Sequence, residues 1–183
     1  MKTMRIWRIA FAMLAALSLA SCITINSSGY TSLSADQKAR VVPCQDALEK
    51  LPNDGHIYLV TVEQLQQFLN NNDSVLIYEY LASCTSGHCV NPVMVEQDCN
   101  NHGVLFCIIT ESYDGIFALP KMEMPILAID PKPFGKKITK ECNKVFFNAL
   151  TNSTWETRGY GRYYLFEKGK YVGCYNNYSE VIK

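Results

Sequence analysis

The sequence predicts a single α/β domain whose central mixed β-sheet is flanked by helices. From Ile57 onward, short apolar runs rich in β-branched residues alternate with segments of helical periodicity, a pattern typical of layered α/β domains. We expect an export signal at the start of the 183-residue chain, and the roughly 160 residues after it can bury roughly 70% of the surface that the unfolded chain would expose. Disulfides are therefore optional for stability.

The N-terminus has the three parts of a secretory signal. Lys2, Arg5 and Arg8 precede an apolar run, Ile9–Ala20, which ends in small residues. As a helix this run is about 18 Å long, too short to cross a hydrocarbon core of roughly 30 Å. We therefore interpret residues 1–21 as a removable signal peptide and not as a membrane anchor.

Residues 19–22, Leu-Ala-Ser-Cys, resemble the lipobox of bacterial lipoproteins. The resemblance implies that Cys22 is lipidated and becomes the mature N-terminus. Several acyl chains would anchor the protein stably, because each buried CH₂ contributes about 0.8 kcal/mol. The expected location is the cell envelope, bound to a bacterial membrane and facing the periplasm or the exterior. The alternative is an ordinary signal peptide with a chance cysteine.

Residues 22–42 are predicted to be a flexible tether, and residues 43–183 the folded domain. The tether is rich in Ser and Thr and has no periodicity. The chain carries 17 basic and 17 acidic residues. Loss of the signal, with its three basic residues, leaves a formal charge of about −3, which favours solubility and argues against anionic partners. We therefore expect no nucleic-acid partner.

The predicted elements follow in order from Ile57. Ile57–Thr61 is a strand, Val62–Leu69 is a helix with one apolar face, and Ser74–Tyr80 is a strand apolar enough to be buried on both faces of a sheet. A cysteine-bearing turn follows. The remaining predicted elements are a helix over His88–Cys99, strands at Val104–Thr110 and Pro125–Asp130, a helix over Lys136–Leu150, and a hairpin of Arg162–Gly169 with Lys170–Tyr175.

This order of elements resembles the thioredoxin fold over about residues 57–175. Two stretches resemble the TlpA-like branch of that family. Met124–Pro131 is similar to its inserted strand, "FPVLLDPDG", and Arg158–Lys170 is similar to its "RGVPTTFLIDKDGK" segment. The resemblance implies a thioredoxin-like fold with a TlpA-like inserted strand and helix.

The turn after the central strand carries the residues that the family uses for chemistry. Members place Cys-x-x-Cys there, with a helix proline eight residues after the first cysteine, because a helix N-terminus stabilises a thiolate. Pro92 lies eight residues after Cys84, which therefore matches the nucleophile. The second position is Gly87, and the nearest thiol is Cys89, so the spacing is Cys-x4-Cys. In a rival register, Ser86 replaces the nucleophile and exchange chemistry is lost.

A Cys84–Cys89 disulfide is feasible if the turn brings the two Cα atoms within about 4.4–6.8 Å, although it would unwind the start of the next helix. Such partly exposed bridges are the redox-active kind. The alternatives are a static staple or pairing elsewhere. Cys107 is predicted to be buried, while pairings of Cys142 with Cys174, or of Cys44 with either, stay undecided.

A loop facing the turn shows a second departure from the family. Members keep a cis-proline there, against which the substrate backbone docks, and the matching residue here is Gly161. We predict that Gly161 and Arg162 form the substrate-facing loop, with Gly161 across from Cys84. Glu79 is predicted to be a solvated residue at the strand end, with a proton relay as the alternative. His88 is either solvated or a group that lowers a thiol pKa.

Two other chemistries fit less well. Cys84–Cys89 and Arg162 resemble parts of a peroxiredoxin site, but Ile77 and Leu81 stand where that family's pattern has Pro and Thr. A metal site would draw on Cys84, His88, Cys89, Cys99 and His102. Their spacing matches that of closed zinc sites poorly. We therefore predict no metal and no cofactor.

The sequence favours a membrane-anchored, thioredoxin-like thiol–disulfide oxidoreductase that uses Cys84 and Cys89 on a protein thiol or disulfide. The alternative is a redox-inactive domain that binds a protein or peptide partner with the same face. Geometry and exposure at Cys84 discriminate between the two.

Replacing Cys22 by serine should leave the precursor unlipidated and uncleaved at this site, because lipobox processing requires the thiol. Metabolic labelling with a fatty acid, followed by electrophoresis of wild type and C22S side by side, measures this. Label on the C22S protein would show that the lipobox interpretation is wrong.

Overall fold

Seven strands form one sheet in the part of the chain that the computed structural model describes, which is residues 29–82, 84, 89–110, 112–134 and 140–182. The strands are β1 Val41–Pro43, β2 Ile57–Val60, β3 Ser74–Tyr80, β4 Leu105–Thr110, β5 Ile126–Ile129, β6 Tyr163–Glu167 and β7 Lys170–Tyr175. The helices are α1 Ala35–Ala39, α2 Val62–Asn70, α3 Pro92–Asn101, α4 Lys140–Thr151 and α5 Trp155–Arg158. The predicted signal peptide and Cys22 lie outside the described residues.

The sheet is mixed, as predicted. Its strand order is β1-β2-β5-β4-β3-β6-β7. The first five strands in this order run parallel, whereas β6 is antiparallel to β3 and β7 is antiparallel to β6. Helix α2 connects β2 to β3 and helix α3 connects β3 to β4. The two helices pack on opposite faces of the sheet, which is why the strands between them are nearly continuous apolar runs.

Strands β3 and β4 form the central parallel pair of the sheet. Leu76 pairs with Phe106 and Tyr78 with Ile108 in a parallel register, and these four side chains are almost completely buried. Strand β3 has the predicted bounds. Its seven residues have both backbone edges paired over most of their length, to β4 on one side and to β6 on the other.

Alternate residues of β3 contribute to two hydrophobic layers, because successive side chains of a strand point to opposite faces. Val75 and Ile77 pack in the layer that contains α2 and α4. Leu76 and Tyr78 pack in the layer that contains α3 and the C-terminal residues. Full burial of such side chains contributes about 1.5–3 kcal/mol each, so β3 joins the two layers into one folded unit.

The N-terminal segment differs from the predicted tether. Ser34 and Gln37 form a reciprocal capping box that starts α1, and β1 pairs with β2 as an edge strand. Leu33 is buried in the core. These elements have five and three residues, too few to show a periodic pattern in the sequence. Among the described helices, none is both long and apolar enough to cross a bilayer.

The start of one helix differs from the sequence prediction, whereas the C-terminal hairpin turn agrees with it. Helix α3 begins at Pro92, with Asn91 as its N-cap, rather than at His88. Proline suits this first position because its fixed φ is helical and its missing N–H would have no partner there. The hairpin turns as predicted at Lys168 and Gly169, whose φ values of 48° and 75° are those of a two-residue turn with both φ positive.

Candidate functional site

Cys84 and Cys89 are joined by a disulfide, so the predicted pairing is present. Their Cα atoms are 6.0 Å apart, within the usual range for a bridged pair. Both residues are half-buried. The disulfide lies where the chain leaves the carboxyl end of β3 and before it enters α3, which is the edge of a parallel sheet where ligands commonly bind.

Local hydrogen bonds fix the two ends of this turn. The Cys84 N–H donates to the Leu81 carbonyl over 3.0 Å. At the other end, the Asn91 side chain accepts from the Val93 N–H over 3.0 Å. Cys89 thus precedes the helix N-cap by two residues. The bridge lies ahead of the first turn of α3 rather than within it, as expected if a Cys-x4-Cys disulfide unwinds the helix start.

The disulfide opens into a shallow cavity of about 250 Å³. None of the described residues that line it is charged; they are Tyr80, Cys84, Cys89, Val90, Asn91, Pro92, Leu119 and Pro120. Burial, followed by the proximity of Tyr78, raises the pKa of Tyr80. The cavity therefore presents both sulfur positions to a largely apolar surface formed by α3 and the Leu119–Pro120 segment.

Two stacked tyrosines occupy the sheet beneath the turn. The rings of Tyr78 and Tyr163 are 4.3 Å apart, centroid to centroid, and the Tyr78 hydroxyl reaches the Val90 carbonyl at 3.5 Å. Desolvation by burial raises the pKa of Tyr163, so its hydroxyl stays protonated. On this face a neutral aromatic pair therefore supports the cysteine turn.

The prediction that Glu79 is a solvated strand-end residue is wrong. Glu79 is buried, and its carboxylate accepts a hydrogen bond from the Tyr164 hydroxyl at 2.8 Å. Its backbone N–H donates to the Arg162 carbonyl at 2.8 Å. The cause is the pairing of β3 with β6, which brings Tyr164 over a residue 85 positions earlier. The charge-assisted hydrogen bond compensates for the loss of hydration.

The buried face around Tyr164 was missed by sequence reasoning. The Arg158 guanidinium lies 5.3 Å from the centroids of the Tyr164 and Phe147 rings and 4.7 Å from that of Trp155. Arg158 is buried, and such contacts with ring faces favour a cation that is removed from water. The sequence signal is Arg158 followed by a stretch rich in aromatic residues. Which of these rings contact Arg158 depends on the packing of β6 against α4 and cannot be seen in the sequence.

Arg162 extends the backbone pairing of β6 by one residue ahead of its first residue, Tyr163. The Arg162 N–H donates to the Tyr175 carbonyl over 3.0 Å, and its Nη1 donates to the Glu79 carbonyl over 3.2 Å. A Cβ at Gly161 would overlap the backbone carbonyl of Tyr175. The absence of a side chain here is therefore a packing requirement. That Gly161 faces substrate across from Cys84 stays a prediction.

Four of the cysteines outside the turn are unbridged and at least partly buried. Cys44, Cys99, Cys107 and Cys174 have free thiols, so neither Cys44 nor Cys174 forms the pairings that the sequence left open. Cys107 is buried as predicted. Desolvation by burial raises the pKa of Cys99 and Cys107 to about 12 and that of Cys174 to about 11.

The metal alternative gains no support from the described residues, in which no group of three or more His, Cys, Asp and Glu side chains could hold an ion. The two turn sulfurs are bonded to each other, and Cys99 is buried against the sheet. His88, Ser86 and Gly87 lie outside the described residues, and so their predicted roles are not addressed by the structure.

Comparison with protein-family models, with curated proteins and with solved structures finds no match to this chain. What the structure shows is a mixed α/β domain with a seven-stranded sheet, flanking helices and a Cys84–Cys89 disulfide.

Replacing Gly161 by alanine should lower the free energy of unfolding by about 1–3 kcal/mol, as for an overpacked site. The new methyl group would push the Tyr175 carbonyl away from the Arg162 N–H. Urea denaturation measures the stability, and hydrogen exchange of the Arg162 amide reports the local bond. An unchanged midpoint with unchanged amide protection would contradict the close approach of Gly161 to Tyr175.

Proposed function

We propose that this protein is a thioredoxin-like thiol–disulfide oxidoreductase in which Cys84 attacks the substrate and Cys89 resolves the intermediate. The observation that carries the proposal is the half-exposed Cys84–Cys89 disulfide, which opens into a surface cavity at the carboxyl end of the central strand. A disulfide that only stapled the fold would not need access from this cavity.

The order of elements supports the thioredoxin-like part of the proposal. Strand β2, helix α2, strand β3, the cysteine turn, α3 and β4 follow one another, and the antiparallel β6–β7 hairpin lies on the other side of β3. Strand β5 is inserted between β2 and β4 in the sheet, which agrees with the TlpA-like insertion that the sequence resembles at Met124–Pro131.

The proposed reaction conserves thiols and electrons. The reduced Cys84 thiolate attacks one sulfur of a substrate disulfide; a mixed disulfide forms and the other substrate sulfur leaves as a thiolate that takes up a proton. Cys89 then loses its proton and attacks the Cys84 sulfur, which releases the second substrate thiol. The two protein thiols thus become the Cys84–Cys89 disulfide, and the substrate disulfide is reduced to two thiols by the two electrons that it receives. The reverse sequence oxidises a substrate dithiol.

Four of the thiols outside the turn are poor nucleophiles, because burial raises their pKa values. The thiolate is the nucleophile, and burial keeps Cys99, Cys107 and Cys174 protonated at neutral pH because it raises their pKa. Burial also raises the pKa of Cys44. Since no described residue lining the disulfide cavity is charged, activation of Cys84 would come from the N-terminus of α3.

A redox-inactive binding domain is the second candidate function. It is favoured by the start of α3 at Pro92, which places both cysteines ahead of the helix N-cap, and by Gly161 in place of the family's proline. In this alternative the same apolar cavity holds a partner, and the disulfide only shapes its rim.

The proposed location follows from the sequence. We propose that lipid on Cys22 anchors the domain to a bacterial envelope membrane. An oxidising envelope keeps disulfides formed, which agrees with the oxidised state of the Cys84–Cys89 pair.

The C89S variant isolates Cys84 and should show a Cys84 pKa within the range of about 3.5–7.5 that is found for activated thiols. Iodoacetamide trapping against pH, read by mass spectrometry of the Cys84 peptide, measures it. The matched variant C84S isolates Cys89, whose pKa should be higher. A Cys84 pKa at or above about 8.5, together with pairing of Cys84 to a distant cysteine in the wild type, would overturn the oxidoreductase proposal.

A further inference from the structure

A second cavity adjoins the one at the disulfide. It has a volume of about 400 Å³ and shares Leu119 and Pro120 with the disulfide cavity as a common wall. Its floor is apolar, formed by Ile57, Ile116, Phe117, Met122, Met124 and Ile126. Such a concave apolar space, with a few polar groups at its edge, is the usual form of a binding pocket.

Two cations lie at the edge of this second cavity, Arg40 and Lys121. The Arg40 guanidinium lies 4.7 Å from the centroid of the Phe117 ring. Its Nε and Nη2 donate to the Gly55 carbonyl over 2.9 and 2.5 Å, which uses two of its five N–H groups. Arg40 is thus held in place at the rim with donors to spare.

Among the described residues, no carboxylate lies within ion-pair distance of Arg40 or Lys121. The described carboxylate on the cavity lining is Asp54, which is engaged at 2.7 Å with His56. The chain as a whole is not basic, and so these two positive charges are a local feature that complements an anionic group on a ligand.

We propose that the two joined cavities bind an extended polypeptide segment whose cysteine meets the Cys84–Cys89 pair. A neighbouring apolar side chain fills the second cavity, and an acidic side chain next to it pairs with Arg40 and Lys121. The proposal rests on the proposed function and names its substrate class, a protein thiol or disulfide flanked by apolar and acidic residues.

Leu119 and Pro120 line both cavities, so an occupant of one cavity can continue into the other. An extended chain advances about 3.3–3.6 Å per residue, and in our proposal a side chain two or three residues from the cysteine enters the second cavity. There the apolar side chain supplies affinity by burial, as anchor residues do at interfaces. The carboxylate supplies selectivity and is sensitive to salt, because the rim is exposed to solvent.

A peptide that cannot react tests the surface separately from the chemistry. The probe is fluorescein-labelled Glu-Leu-Gly-Ser-Gly-Leu-Glu, with the apolar–acidic pair on both sides of a serine that replaces the cysteine. Its comparison peptide has Gln in place of both Glu residues. Fluorescence anisotropy with the oxidised full-length protein in mild detergent measures both affinities, at low and at high salt.

The acidic peptide should bind more tightly than the Gln peptide, and R40Q and K121Q should each weaken it about two- to fivefold, as expected for the loss of an exposed ion pair. The matched control K170Q removes an exposed charge from β7, at the far edge of the sheet, and should bind like the wild type. Thermal melting verifies that each variant is folded. K121Q repeats the test at an exposed side chain if R40Q disturbs the contact with Gly55.

Equal affinity for the two peptides, or binding that neither R40Q nor K121Q changes, would overturn the proposed surface. The same peptides with cysteine in place of serine, presented as mixed disulfides with glutathione to the protein after its Cys84–Cys89 pair has been reduced, report exchange. Selective binding without exchange would support the surface and refute the oxidoreductase chemistry. Exchange at equal rates with the Glu and Gln peptides would support the oxidoreductase chemistry and refute the proposed binding surface.

Discussion

The pairing of β3 on both of its edges is the constraint on which the rest of the structure depends. Strand β4 holds one edge in parallel register and β6 holds the other in antiparallel register. A shift of one residue would move every buried side chain of β3 to the wrong face, so its register is strongly fixed. The chain therefore leaves the sheet at a defined point, and the Leu81 carbonyl positions Cys84 three residues later.

The same strand separates two different chemical environments. Tyr78 supports the cysteine turn from the α3 side through its stack with Tyr163. Glu79 points to the α4 side, where the Tyr164 hydroxyl binds it. An acid and a neutral aromatic group are thus adjacent in sequence but lie on opposite faces of the sheet. Tyr78 and the described residues that line the cavity are uncharged. In the proposed chemistry, the N-terminus of α3 therefore stabilises the Cys84 thiolate.

Sequence patterns predicted the elements whose signal is local. Strand β3 has its predicted bounds because a nearly apolar run of seven residues follows the polar stretch Asn70–Asp73. The hairpin at Lys168 and Gly169 follows from turn chemistry. The features that were missed depend on partners far away in sequence. Burial of Glu79 needs Tyr164, and the second cavity needs Arg40 to lie beside Phe117. The start of α3 was predicted too early. Proline disfavours the helical conformation of the residue before it, so Pro92 is the first residue of the helix and Asn91 is its N-cap.

The reduction potential of the Cys84–Cys89 pair tests the central claim most directly. The protein is equilibrated with dithiothreitol or glutathione buffers of known potential, and the fraction of alkylated Cys84 and Cys89 is measured by mass spectrometry. A redox-active pair should be half-reduced between about −270 and −120 mV, the range of known oxidoreductases. A potential below about −300 mV, typical of structural disulfides, would contradict the account.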